Sequence, residues 1–267
     1  MKNLLLLILA LIVLVPKLQA QETAAMADHY PLAFVFADGV NLRAAPNLEA
    51  KVVANVNAGT PIRLFGNVGT DTINGKISYW NKIYYKGQIA YVWHPLITYH
   101  VQRSGKNPDY YFLLGEGDST WHSKIKVIHK GKTVQQISFR GIKSFQAVDQ
   151  YLNKGPMGVP LVDDLIYVHW SAHSCGHTGG YKIFAFDGQR LHYFGEDTGM
   201  GDGGFFTSQT LTTPADPAGE KGVVVIKMLD GETIFPEDGQ ENQEPTVKYN
   251  VNTTTRYRWN GKKLVKI

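Results

Sequence analysis

The sequence predicts a mainly β protein, in which an export signal precedes a small β domain and a second β-rich domain with at most one helix. Glycine (27), tyrosine (14) and phenylalanine (12) are abundant, which is typical of short strands joined by tight turns. Apolar and polar residues alternate over short segments that end at turn-forming residues. Helical spacing is nearly absent after the N-terminus, and 267 residues suffice for two modest domains.

The N-terminus has the features of a secretory signal peptide. Lys2 provides a positive start, residues 4–15 form an unbroken apolar run, and Pro16 ends it before the small residue Ala20. The run is shorter than an ordinary membrane-spanning helix, and no later segment approaches its length. We expect residues 1–20 to be removed and the protein to be extracytoplasmic, periplasmic or secreted. An uncleaved anchor is the alternative, whereas the absence of a nearby cysteine excludes a lipoprotein anchor.

The net charge argues against a nucleic-acid-binding protein, and the cysteine content excludes a fold held by intramolecular disulfides. The formal net charge is +4, and loss of Lys2 and Lys17 with the signal leaves 25 basic against 23 acidic residues, or +2. With no stripe of Lys and Arg, this charge does not predict a nucleic-acid partner. Cys175 is the single cysteine, so an intramolecular disulfide is impossible. Its thiol is buried, paired between molecules, or reactive.

The first domain is expected at residues 33–98, where strands of period two alternate with turns. A hairpin is expected across Lys86-Gly87, and residues 66–75 are interpreted as a polar loop. Strands are predicted at residues 40–43, 51–56, 61–65, 78–85 and 88–93.

Several segments of this region resemble the bacterial SH3 domain. The segment 40–46 (VNLRAAP) is similar to the opening motif of that family, in which a strand with Asn and Arg enters a turn closed by Pro. The segments 51–53 (KVV), 58–62 (AGTPI) and 79–83 (YWNKI) follow in the family's order and spacing. The segment 86–92 (KGQIAYV) resembles the closing hairpin, with Ala90 in place of the usual glycine.

The resemblance implies a small β-barrel that acts as a binding module. It implies recognition of a cell-wall peptide, glycan or other peptidoglycan component, or of another exported protein of the envelope. Aromatic faces together with Asn and Arg side chains can hold a peptide or glycan by stacking and hydrogen bonds. The candidate ligand-binding residues are Asn41, Arg43, Tyr79, Trp80, Tyr91 and Trp93, of which Trp80 is expected to be largely packed and Tyr91 partly exposed.

The second domain is expected at residues 110–267, after a linker at 98–110. It is predicted to be a sandwich, a partial barrel or a propeller-like fold, with one helix at residues 144–153 that Ser144 would cap. A clear hairpin is expected from residues 124–129 and 133–139. Further strands are predicted at residues 165–170, 181–186, 191–194, 223–228, 246–250, 255–259 and 263–267.

The densest polar cluster of the second domain lies around Cys175. In an extended segment His169, His173, Cys175 and His177 alternate onto one side, and imidazole and thiolate are good zinc ligands. The remote second ligand pair of a structural zinc site is missing, so a hydrogen-bonded polar loop is the alternative. A thiol nucleophile is a further hypothesis, for which His192 on a neighbouring strand is the better general base.

Two acidic segments could be either functional sites or plain turns. Residues 196–204 concentrate carboxylates among glycines and could hold calcium, but their spacing matches no calcium motif and favours a plain Gly-rich turn. Asp163 and Asp164 precede a strand and are interpreted as a turn. The sequence implies no cofactor, with zinc or calcium as the open alternatives. A non-catalytic binding protein is therefore favoured over a cell-wall hydrolase, a metal-binding protein or a structural protein of the envelope.

Overall fold

The computed structural model describes residues 30–115, 122–140, 148–170, 178–236 and 244–267, and the described chain is mainly β as predicted. It divides into two compact units. The first contains the described residues up to His100, with 113–115 and 131–133, and the second contains the remainder. No helix among the described residues is long and apolar enough to span a membrane.

The first unit is built on a seven-stranded sheet that curls into a half-barrel. Its strand order is β3-β2-β6-β5-β4-β1-β7, and every adjacent pair is antiparallel where the register is defined. The strands are β1 (Leu32–Val35), β2 (Val40–Arg43), β3 (Val52–Val56), β4 (Pro61–Ile73), β5 (Lys76–Tyr85), β6 (Gln88–Trp93) and β7 (Ile97–Thr98), with a short 3-10 helix at His94–Leu96.

The core of this unit follows from strand alternation. Leu42, Ile83 and Ala90 are fully buried and alternate with partly exposed neighbours, because successive side chains of a strand point to opposite faces. Burying one face of each strand supplies the apolar area that holds the small sheet together. The same core includes Ala33, Val35, Val40, Val56, Ile62, Leu64, Val92 and Ile97.

The expectation of a polar loop at residues 66–75 is wrong. Strand β4 continues through this segment to Ile73 and pairs with β5 along its whole length, with shifts in register near Gly66 and Gly69. The chain reverses only at Asn74-Gly75, where both residues have positive φ, as a two-residue hairpin turn requires. Exposed hairpin strands bury little apolar surface, so they tolerate polar residues and glycine. Residues 66–75 therefore have the composition of a loop although they form strands.

The second unit contains most of a four-stranded sheet of order β11-β10-β9-β8. The predicted hairpin is confirmed, but the expected linker at 98–110 is partly wrong, because residues 100–103 form a strand. The chain reverses at Ser104–Asp109 instead, where Asn107 N–H bonds to Ser104 Oγ. The strands are β8 (His100–Arg103), β9 (Tyr110–Gly115), β10 (His122–His129) and β11 (Lys132–Arg140).

An eight-stranded antiparallel meander forms the rest of the second unit. Phe184 contacts Phe139, and Phe186 contacts Phe112, with ring centroids 5.0 Å apart in both pairs. These contacts pack the large sheet on the four-stranded sheet, which is the sandwich among the predicted alternatives. The strands are β12 (Val148–Asn153), β13 (Asp164–Trp170), β14 (Gly179–Phe186), β15 (Leu191–Asp202), β16 (Phe205–Thr212), β17 (Val224–Ile234), β18 (Thr246–Trp259) and β19 (Leu264–Lys266).

The predicted helix at residues 144–153 is wrong over its described part. Residues 148–153 form strand β12, in which Tyr151 pairs with Val168 and Leu152 with Tyr167. Tyr151 is buried. The backbone N–H and C=O groups of β12 form hydrogen bonds with β13, whereas in a helix they would bond within the segment. A ten-residue helix has little intrinsic stability, so pairing with a buried neighbouring strand overrides the local spacing.

Strand lengths in the large sheet also exceed the predicted ones. β15 extends to Asp202, β18 joins the two segments expected at 246–250 and 255–259, and β16 was not predicted at all. The reason is composition: these segments contain Thr, Asn, Gly and acidic residues, and they form strands through pairing with their neighbours rather than through an apolar pattern.

Candidate functional site

Arg43 and Tyr91 form the centre of the candidate site in the first unit. They are direct partners where β2 pairs with β6, and partners in an antiparallel ladder project from the same face of the sheet. Both are partly exposed. The Nη1 group of Arg43 donates a hydrogen bond to the Ala50 carbonyl at 2.8 Å, which holds the guanidinium beside the turn that follows β2.

Lys82 extends this pair into a row across three strands. Lys82 of β5 lies opposite Tyr91 on one side and opposite Gly66 of β4 on the other. Lys82 is partly exposed, and an added Cβ at Gly66 would meet no atom within 4 Å. We call Arg43, Tyr91, Lys82 and Gly66 the first row. In this row Tyr91 is the cross-strand partner of Arg43 on one side and of Lys82 on the other.

A second row lies two residues further along β5 and β6 and three residues further along β4, where the register shifts between Leu64 and Gly66. Ile89 of β6, Tyr84 of β5 and Arg63 of β4 are successive cross-strand partners, and all three are partly exposed. The Phe65 ring stands beside Tyr84 with centroids 6.2 Å apart. The sequence reasoning missed Lys82, Tyr84 and Arg63, although the predicted hairpin across Lys86-Gly87 would have placed Lys82 opposite Tyr91.

Asn41 lies two positions before Arg43 in β2, so both side chains lie on the same face of the sheet. It is exposed, and its Oδ1 accepts a hydrogen bond from Asn55 Nδ2 at 2.8 Å. The same Asn55 amide donates to the Gly39 carbonyl at 3.0 Å. Asn41 is therefore bound to the neighbouring strand β3 and lies at the margin of the first row.

Trp80 and Trp93 are cross-strand partners that lie beyond the first row. Their side chains are 2% and 6% exposed, with ring centroids 5.7 Å apart in an edge contact. Trp80 Nε1 donates to Asp71 Oδ2 at 3.4 Å. The expectations of a packed Trp80 and a partly exposed Tyr91 are confirmed, and the candidate ligand-binding residue Trp93 is buried with Trp80.

Tyr79 belongs to a different cluster, because its position in β5 alternates with that of Lys82. Its ring stacks on His94 with centroids 4.2 Å apart, and its hydroxyl lies 3.0 Å from His94 Nε2. His94 Nδ1 in turn lies 3.3 Å from Asn81 Nδ2. Asn81 is 1% exposed, and within the described part of the chain its Oδ1 accepts no hydrogen bond. The structure thus does not bring Tyr79 together with Arg43 and Tyr91.

Comparison with protein-family models decides the nature of this unit. Residues 38–98 match the model of the bacterial SH3 domain. The first unit carries a bacterial SH3 domain. The match contains both rows and the two tryptophans, and it supports a binding module of a kind commonly associated with the cell wall. No curated protein and no solved structure matches the chain.

Outside the SH3 domain, the predicted metal cluster can be placed only in part. His169 is the penultimate residue of β13, and its ring centroid lies 4.5 Å from that of Tyr181. His173, Cys175 and His177 lie outside the described residues, so zinc binding and a Cys175 nucleophile remain predictions. Over the described part of the chain, no three His, Cys, Asp or Glu side chains are grouped as metal ligands.

His192, the candidate general base, is held by a carboxylate. Its Nε2 lies 3.0 Å from Asp187 Oδ2. Burial alone would raise the pKa of Asp187, but the backbone N–H groups of Arg190 and Gln189 and the His192 side chain outweigh burial and lower it. The other side of the His192 ring faces Trp259, with centroids 6.3 Å apart. This arrangement orients an imidazole beside an apolar core.

The acidic segment 196–204 is mainly a strand, so its interpretation as a plain Gly-rich turn is wrong. Residues through Asp202 belong to strand β15, and only Gly203 and Gly204 form the turn. Glu196 pairs with Lys182 at 2.9 Å. Asp197 lies opposite Tyr181, and burial, together with the nearby Asp216, raises its pKa against the opposing effects of the Leu211 backbone N–H and Lys154.

Asp163 and Asp164 have different environments despite being neighbours. Asp163 forms an ion pair with the exposed Lys106 at 2.7 Å. Asp164 is fully buried at the start of β13, where its Oδ1 accepts hydrogen bonds from the Gly105 backbone at 2.9 Å and from Asn153 Nδ2 at 2.8 Å. Among the described residues, none donates a hydrogen bond to its Oδ2. Asp164 therefore anchors the turn between β8 and β9 to the large sheet, and the interpretation of the pair as a simple turn is incomplete.

Proposed function

We propose that this chain is an exported, non-catalytic binding protein whose SH3 domain recognises a cell-wall peptide or another component of the envelope. The observation that carries the proposal is the first row, in which Tyr91 lies between Arg43 and Lys82 on a partly exposed face of a bacterial SH3 domain. Aromatic and guanidinium groups are the side chains most enriched at energetically important contacts.

Export is supported by the signal-like residues 1–20. Mass spectrometry of the protein recovered from the culture medium and periplasm tests it, and we expect an N-terminus at Gln21. Recovery of the intact N-terminus in a membrane fraction would contradict cleavage and favour the anchor alternative.

Retention of the purified full chain on peptidoglycan tests the binding function. We expect the chain to sediment with purified cell-wall material, and the double variant Arg43→Gln/Tyr91→Ala to remain in the supernatant. Lys76→Gln serves as the matched control, since Lys76 is exposed at the far end of the β4–β5 hairpin. Failure of the wild-type chain to sediment with any wall preparation would overturn the proposal.

A cell-wall hydrolase is the second candidate, and the contact between His192 and Asp187 is the observation that favours it. An imidazole oriented by a carboxylate is the usual partner of an activated nucleophile. Release of soluble wall fragments by the wild-type chain, together with its loss in Cys175→Ser and His192→Gln variants, would favour this function. Fragment release at the level of a buffer control would exclude it.

A further inference from the structure

A row of polar side chains crosses four neighbouring strands of the large sheet. Successive cross-strand partners project from one face of a sheet, and this row runs from β12 through β13 and β14 to β15. Its members are exposed or partly exposed, and they are Gln150, His169, Tyr181 and Asp197. The Tyr181 hydroxyl donates to Gln150 Oε1 at 3.0 Å, so the tyrosine ring has a fixed direction on this face.

Two tyrosine rings form the floor of this part of the face. Tyr167 is buried in the core, and its ring makes an edge contact with the partly exposed Tyr181, with centroids 5.7 Å apart. Burial, and then the carboxylates of Asp216 and Asp197, raise the pKa of the Tyr167 hydroxyl. The floor is therefore uncharged over the ordinary pH range, and both carboxylates are close enough to act on it.

Lys154 places an ammonium group above this floor. Its Nζ lies 4.2 Å from the centroid of the Tyr167 ring and 5.6 Å from that of Tyr181, which is within the range of a cation–π contact. The backbone of Lys154 is fixed just after β12, because its N–H donates to the Leu165 carbonyl at 3.0 Å. The residue is exposed, so a ligand can reach its ammonium group.

Lys154 and Asp197 carry opposite charges that do not meet. Burial keeps the pKa of Asp197 raised against the weaker effect of Lys154, and neither residue forms an ion pair with any residue that the structure describes. The adjacent residues Lys182 and Glu196, by contrast, are cross-strand partners and pair at 2.9 Å. A partly buried carboxylate without a partner is unfavourable for folding, and such groups are concentrated at functional sites.

The two tyrosines and the two unpaired charges define a site in the second unit. We call Lys154, Tyr167, Tyr181 and Asp197 the tyrosine site. We propose that the tyrosine site binds an α-amino acid, or the α-amino-acid end of a larger molecule, through both its carboxylate and its ammonium group. Lys154 donates to the carboxylate, Asp197 accepts from the ammonium group, and the Tyr181 ring contacts the ligand between them. A ligand with one charge would leave one protein group unpaired, whereas a zwitterion satisfies both.

The tyrosine site is separate from the residues matched to the SH3 domain. It therefore adds a second ligand to the chain, and it does not depend on the proposed binding of the envelope. Loss of wall binding would leave this inference standing, and failure of this inference would leave the proposed function standing.

Three small probes that differ by one charged group test the class of ligand. The full chain is titrated with alanine, with ethylamine, which lacks the carboxylate, and with propionate, which lacks the ammonium group. We expect alanine to bind about tenfold or more tightly than either of the others, as measured by calorimetry or by ligand-observed NMR. Absence of saturable alanine binding, or equal binding of the three probes, would overturn the proposal.

A fourth probe distinguishes the two sources of this chemistry. ε-Acetyl-lysine carries the same zwitterion at the end of a long neutral side chain. Binding of ε-acetyl-lysine as tightly as alanine supports a site for the α-amino-acid end of a larger molecule. Binding of alanine alone supports a site for small free amino acids.

Variants that remove one charge assign each contact. Lys154→Met is expected to weaken alanine binding about tenfold and to leave ethylamine binding unchanged, because ethylamine has no carboxylate. Asp197→Asn is expected to weaken alanine binding by a similar factor and to leave propionate binding unchanged. Lys154→Arg retains the cation and should bind alanine within about threefold of the wild type.

Two exposed residues outside the tyrosine site provide matched controls. Lys262→Met and Asp202→Asn make the same changes at exposed positions and should bind alanine as the wild type does. Unchanged alanine binding by either Lys154→Met or Asp197→Asn would overturn the assignment. A thermal unfolding curve of each variant separates loss of binding from loss of fold.

Discussion

Arg43 of β2 and Tyr91 of β6 are direct cross-strand partners on the outer face of the SH3 domain. Tyr91 is also the cross-strand partner of Lys82, so removing its ring should reduce binding at this position without removing charge. We expect Tyr91→Ala to weaken wall binding about fivefold to tenfold, the value of one well-placed aromatic contact. Tyr91→Phe keeps the ring and should bind nearly as the wild type. Sedimentation with purified wall measures both, and equal binding by Tyr91→Ala would contradict the role of the ring.

The Trp80–Trp93 pair should contribute to stability rather than to binding. Trp93 is 6% exposed and packs edge-on against Trp80, so Trp93→Ala leaves a large cavity. We expect this change to lower the free energy of unfolding by about 3–5 kcal/mol, measured by chemical denaturation. Ile77→Ala is the control, because Ile77 is 75% exposed and its truncation should change stability by about 0.5 kcal/mol or less.

Two neighbouring aspartates should differ sharply in their effect on stability. Asp164→Ala leaves the Gly105 N–H and the Asn153 amide without their acceptor in a buried site, at a cost of about 2–3 kcal/mol. Asp163→Ala removes an ion pair with the exposed Lys106, worth about 1 kcal/mol or less. Thermal unfolding of the two variants compares them directly. Equal melting temperatures would contradict the anchoring role of Asp164.

The sequence predicted the parts of the fold that depend on local pattern. Alternation and turn residues located β2, β6 and the hairpin of β10 and β11, and the ordered SH3 motifs identified the first domain. Segments 66–75 and 148–153 were misassigned because their strands form by pairing with a neighbour, which local composition does not encode. For the site, Arg43 and Tyr91 could be named from the motif, and the predicted hairpin would have placed Lys82 opposite Tyr91. Arg63 needed the register between β4 and β5, which the sequence does not give.

Lys130 and Asn74 occupy the same position in two hairpin turns, so exchanging their residue types tests backbone strain in both directions. Lys130 and Asn74 both have positive φ, +49° and +52°, and each precedes a glycine in a two-residue turn. Asn tolerates this conformation better than Lys, whose Cβ crowds the backbone. We expect Lys130→Asn to stabilise the chain by about 0.5–1 kcal/mol and Asn74→Lys to destabilise it by a similar amount. The ion pair of Lys130 with Asp109 spans 4.0 Å between exposed side chains, and its loss should be negligible. Denaturation midpoints that shift in the same direction for both variants would contradict this explanation.

Asp197 should make the stability of the second unit depend on pH. Its pKa is raised in the folded state, chiefly by burial, so above the ordinary Asp pKa the folded state holds the proton more strongly than the unfolded state. Stability attributable to this group is therefore greatest at low pH and falls as the pH rises through the folded pKa.

Asp197→Asn removes the ionised form and tests this effect. Its amide oxygen can still accept the Leu211 N–H, so the main change is the loss of a partly buried charge. We expect the variant to melt higher than the wild type at pH 7, by about 3 °C or less once solvent screening is taken into account, and to melt at the same temperature at pH 3. The control is the same substitution at an exposed position of the same strand, Asp202→Asn, which should change stability by about 0.5 kcal/mol or less. A higher melting temperature of Asp197→Asn at pH 3 as well would mean that packing, rather than ionisation, accounts for the gain.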